Sequence, residues 1–94
     1  MNDFRELIVW QKSIDLVEKV YQITNSFPKE EVYSLTSQIK RSAISVPSNI
    51  AEGFGRRTTP DFIHFLHIAR GSLYEIQTQL EISKRIKYIT ETEL

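Results

Sequence analysis

Ser45-Val-Pro-Ser-Asn-Ile-Ala-Glu-Gly53 sets a proline inside a helical pattern and closes on a glycine. Around it, Leu35, Ile39, Ala43, Val46 and Ile50 recur every three or four residues, the period of one helix face. The phase holds across Pro47, which predicts one bent helix over about residues 34–54. Pro47 removes the donor for the Ala43 carbonyl and crowds it. Ser42, Ser45, Ser48 and Asn49 are placed to bond freed backbone groups. Gly53 and Gly55 suit a helix stop, because glycine takes positive φ at low cost.

Working outward, Thr59 reads as an N-cap, Pro60 as a first helical residue and Asp61 as an acid favoured at the positive helix end. Phe62, Leu66, Ala69, Leu73, Ile76 and Leu80 then carry a helix to about Arg85. Gly71 costs that helix about 1 kcal/mol relative to alanine. It lies off the apolar stripe, so it is expected to admit another helix or chain. Upstream, Leu7, Trp10, Ile14, Val17 and Tyr21 form one stripe, and Leu16, Val20, Ile23 and Phe27 a second. A first helix over about 4–25 follows, ended by Phe27-Pro28 because the residue before proline avoids the α region. Thr90-Glu-Thr-Glu93 has capping-box spacing and predicts the start of a fourth helix near residue 91. The expectation is one all-α domain over residues 1–94: an antiparallel up-down bundle of three long helices plus the start of a fourth. A bundle short of its fourth helix would leave apolar surface for a partner.

The resemblance of the quoted stretch extends to Trp10-Gln-Lys, Tyr21 to Phe27-Pro28, Tyr33-Ser-Leu35, Gln38-Ile-Lys-Arg41, and Ala69-Arg-Gly-Ser72 with Glu75. Their order and spacing resemble the four-helix bundle protein family, also called the 23S ribosomal RNA intervening-sequence proteins. That resemblance implies an antiparallel bundle, a ring-shaped homo-oligomer (a pentamer) and no assigned chemistry. A related accessory protein that binds a reverse transcriptase and nucleic acid supplies the functional analogy.

The 94 residues carry 12 basic and 12 acidic side chains, which argues against a dedicated nucleic-acid binder. Residues 32–60 nevertheless hold four basic residues against one acid. There is no cysteine, so disulfides and thiolate metal sites are excluded, as suits a reducing compartment. With no signal segment or membrane-length apolar run, a soluble cytoplasmic protein is expected.

Candidate chemistry is sparse. His64 and His67 stand three apart, but the Glu-x-x-His units of bundle metal sites are absent, so a solvated face is the better reading. No nucleophile–base arrangement can be assembled, and Gly53-Phe-Gly55-Arg-Arg57 lacks the phosphate-loop pattern. No enzyme activity, cofactor or metal is expected. Gln38, Arg41, Ser45, Ser48, Glu52 and Arg56 share one ridge of the second helix, with Asn49 beside it. Arg41 and Glu52 are too far apart to pair, so their partners are expected on other helices or another subunit. The ridge reads first as a polar network fixing bundle register or subunit contact. Its functional reading is a phosphate-binding surface of Arg41, Arg56 and Arg57, edged by Lys40 and Arg70, since arginine meets phosphate oxygens bidentately. The aromatic residues read as core and interface residues rather than stacking platforms.

The leading expectation is a non-enzymatic oligomeric scaffold or adaptor, with RNA, DNA or a nucleic-acid enzyme as candidate partners of the second helix. A protein-only scaffold with structural arginines is the alternative, and a bundle metalloenzyme the outsider.

Overall fold

A computed structural model describes residues 3–90 and residue 92. Among them are three α-helices and no strand: α1 (Ile8–Thr24), α2 (Leu35–Phe54) and α3 (Thr59–Arg85). Short 3₁₀ turns at Phe4–Glu6 and Lys29–Glu31 precede α1 and α2. The proposed start of a fourth helix, with Glu91 and Glu93 of its capping box, lies outside the described residues.

The N-terminal boundary differs from the sequence expectation. Asp3 caps the first turn by accepting the Arg5 N–H at 2.8 Å, and Leu7 is then extended, with ψ 127°. Phe4 folds back edge-on to Trp10, with ring centroids 5.3 Å apart. One helix from residue 4 therefore becomes a turn, a break and a helix. At α3 the cap is Thr58 rather than Thr59: its hydroxyl accepts the Asp61 N–H at 3.2 Å. Both hydroxyls had capping chemistry, and the helix takes one more residue.

α2 runs unbroken through Pro47. Leu35, Ile39, Ala43, Val46 and Ile50 are all buried, as their spacing requires. Ser48 donates to the Ile44 carbonyl and Asn49 to the Ser45 carbonyl, each at 2.8 Å, so these side chains bond carbonyls beside the proline and not the Ala43 carbonyl that it leaves without a donor. α2 packs against both α1 and α3, whereas α1 and α3 do not approach each other closely. Val20, Ile23 and Phe27 beside α2, and Ala69 and Ile76 on α3, complete the core.

Gly53 corrects the helix-stop reading. It is buried inside α2, whereas Gly55 does cap the helix end, at φ −77°, and neither glycine takes positive φ. A Cβ at Gly53 would lie 2.7 Å from Phe65 Cβ. The missing side chain lets α3 cross close to α2. The left-handed residue is instead Lys87 at φ 69°, which ends α3. There the Tyr88 N–H reaches the Ser83 carbonyl at 2.8 Å and the Lys87 N–H the Lys84 carbonyl at 3.0 Å, the paired bonds of a Schellman motif.

The molecule measures 44 × 22 × 19 Å. Its accessible surface is 6526 Å². A compact monomer of this mass would expose about 5,600 Å². Long helices that meet only through α2 account for the excess.

Candidate functional site

Gln38, Arg41 and Ser45 of the α2 ridge stand in one wall of a groove against α3, whereas Ser48 of the same ridge lines a groove toward α1. α2 supplies Gln38, Arg41, Ser42 and Ser45; α3 supplies Ser72, Glu75 and Gln79. Tyr33, just before α2, stands at the same groove, which holds about 510 Å³. The helices are stitched along its floor. Ser72 donates to Ser45 Oγ at 2.8 Å, and Asn49 Nδ2 donates to the same oxygen at 2.9 Å. One turn away Gln79 Nε2 donates to Ser42 Oγ at 3.3 Å. Partner numbers rise on α3 as they fall on α2, so the two helices run antiparallel. These bonds tie side chains of fixed register, since a one-residue slip would separate them all.

The five basic candidates do not gather into one surface. Lys40 points toward α1, with its ammonium 4.6 Å from the Tyr21 ring centroid. Arg56 is engaged twice: it pairs with Glu52 at 2.8 Å and lies 4.7 Å from the Phe65 ring centroid. Glu52 thus finds its partner four residues on, just past the end of α2, not on another helix or subunit. At this spacing the two carboxylate and guanidinium arms meet without outside help. Arg57 is exposed in the α2–α3 turn and Arg70 is exposed on α3. Arg41 lies thirteen residues before Phe54, the last residue of α2, a rise of about 20 Å, and Arg56 follows beyond that end.

Arg41 and Glu75 stand apart from the stitched residues. Both are exposed and line the groove, yet neither makes an ion pair, hydrogen bond or ring contact among the described residues. Tyr33 is 95% exposed, the largest value among the big apolar side chains. Reading aromatics as core or interface residues missed this division. Tyr88 joins the core beside Phe27, with ring centroids 5.4 Å apart, whereas Tyr33 and Tyr74 face outward. Nothing in their local spacing separates the two groups.

Gly71 has no neighbouring atom within 4 Å of where a Cβ would stand. It is one turn before Glu75 on the open side of α3. His64 and His67 are exposed, and among the described residues no group of three or more potential ligands could hold a metal. No described helix is long and apolar enough to cross a membrane.

A second, apolar groove lies between α1 and α2, lined by Trp10, Ile14, Val17, Ile44, Pro47 and Ala51. The first α1 stripe therefore stays half-open, while the second, with Val20, Ile23 and Phe27, is buried.

The profile of the 23S rRNA-intervening sequence protein family matches residues 5–94, and the chain belongs to that family. A search of curated proteins finds no match.

Proposed function

We propose that this member of the 23S rRNA-intervening sequence protein family is a non-enzymatic scaffold of the four-helix-bundle type, built from several copies of the chain in an up-down arrangement. The observation that supports the reading best is surface left open by a well-packed core. Twelve large apolar side chains among the described residues are more than a third exposed, including Ile8, Ile44, Tyr74 and Ile82 on all three helices. The surface excess over a compact monomer, about 900 Å², is close to what one partner contributes to a standard interface. Sedimentation equilibrium at micromolar concentration tests this. The expected mass is a multiple of 11.0 kDa. A clean monomer would overturn it.

Nucleic-acid binding through Lys40, Arg41, Arg56, Arg57 and Arg70 is the second reading. It is favoured by Arg57 and Arg70, exposed cations with no ion pair among the described residues. Repetition of these charges around an assembly would add avidity that one copy lacks. Binding would then be weakly sequence-specific and would fall steeply with salt as counterions are released. A salt titration with single-stranded RNA, run beside an Arg56→Ala/Arg57→Ala variant, separates the readings. Loss of affinity in the variant supports phosphate contact. Unchanged affinity or a flat salt response leaves the arginines to the protein scaffold.

A further inference from the structure

We propose that the polar groove between α2 and α3 receives a second copy of this chain, and that Arg41 of one copy pairs with Glu75 of the next. The inference rests on the scaffold reading and names the surface through which it assembles. Three observations lead to it. The groove presents one cation and one anion, Arg41 and Glu75, neither of them paired among the described residues. A partner of a single charge sign would satisfy one and repel the other. A second copy brings both signs, so each interface can match Arg41 with an acid and Glu75 with a base. At the same groove stands Tyr33, 95% exposed, and tyrosine and arginine are the residues on which interfaces most often centre. Beside Glu75, Gly71 leaves the α3 backbone open, with nothing within 4 Å of a Cβ position. Ser72 donates to Ser45 and Gln79 to Ser42, so these cross-helix bonds make the groove floor rigid.

The experiment uses full-length Arg41→Glu, Glu75→Arg, the double variant and Tyr33→Ser, read by sedimentation and circular dichroism. Each single charge reversal places like charges across the interface and should weaken association roughly tenfold or more. Helicity should be unchanged, because both side chains are exposed and unpaired among the described residues. The double variant should recover the wild-type mass. An equimolar mixture of the two single variants should also recover it, because each supplies the charge that the other lacks. Tyr33→Ser removes a side chain that is 95% exposed, so it should keep the helicity and weaken association as well. Single variants that keep the full mass would overturn the proposal while leaving the scaffold reading intact. Recovery in the double variant but not in the mixture would place the pair within one chain and also overturn it. A polyanion as occupant would bind Glu75→Arg more tightly than wild type, and that outcome would reassign the groove. A wild-type monomer would fail the scaffold reading itself.

Discussion

Replacing Gly53 with alanine should destabilise the protein, although alanine is the better helix former. The added Cβ would stand 2.7 Å from Phe65 Cβ, 3.0 Å from Phe62 Cδ1 and 3.3 Å from the Phe62 carbonyl oxygen. Carbon atoms in contact sit about 3.5–4.0 Å apart, so the first approach is short by about 1 Å. Phe65 Cβ is bonded to the backbone and cannot swing aside as a side-chain tip would. α3 must therefore move away from α2, disturbing the edge-on Phe54–Phe62 pair at 6.2 Å. Overpacking of this kind costs about 1–3 kcal/mol. The helix-propensity gain of alanine over glycine offsets about 1 kcal/mol. A clash against backbone-anchored atoms belongs in the upper half of the overpacking range, so the net loss should be about 1–2 kcal/mol. For a chain of this length that lowers Tm by about 5–15 °C. Urea denaturation followed by circular dichroism should show a lower midpoint with unchanged slope. A variant as stable as wild type would mean that α2 and α3 cross farther apart than described, and the account of Gly53 would fail.

Gly71→Ala should act in the opposite direction. With open space around it, the substitution should stabilise the dissociated chain by about 1 kcal/mol, measured by denaturation at high dilution; a loss would show that something packs there. Lys87→Gly should raise stability by about 1 kcal/mol, because the residue sits at φ 69° in a C-terminal cap that favours glycine; thermal unfolding checks it, and a fall in Tm would refute the strain argument. The Arg85 and Lys84 side chains hold the Glu81 carboxyl below its ordinary range. A depressed folded value gives a stabilising contribution that is present above the ordinary glutamate range and lost as pH falls through the folded value. In Arg85→Ala the Glu81 titration, followed by NMR, should move upward; an unchanged curve would refute the pairing.

Much of the fold was legible because periodicity and caps agree. α3 ends where its apolar spacing places it and begins one residue before the Thr59 cap reading, and α2 lies within one residue of its expected bounds. The break at Leu7 carries no proline or glycine signal, and it depends on Phe4 folding onto Trp10, a tertiary contact. The Asp3 cap was the one local clue to it. Gly53 was misread because glycine near a helix end suits both a stop and a close crossing. Its place on the Leu35–Ile50 face, three residues after Ile50, was the signal for the crossing. The candidate site was half legible. The ridge spacing put Ser45 against α3 but left out Ser42 and included Ser48, which lines the α1–α2 groove. The i,i+4 spacing of Glu52 and Arg56 was the local sign of their pairing, whereas nothing linear marks the Arg56–Phe65 contact.

The central claim is that other copies of the chain cover the surface that three helices leave open. The most direct test is the thermal unfolding midpoint of the wild-type protein over a hundredfold range of concentration, about 1–100 µM. Because association stabilises by mass action, the account predicts a midpoint that climbs steadily with concentration. A midpoint independent of concentration, with the mass remaining at 11.0 kDa throughout, would contradict it.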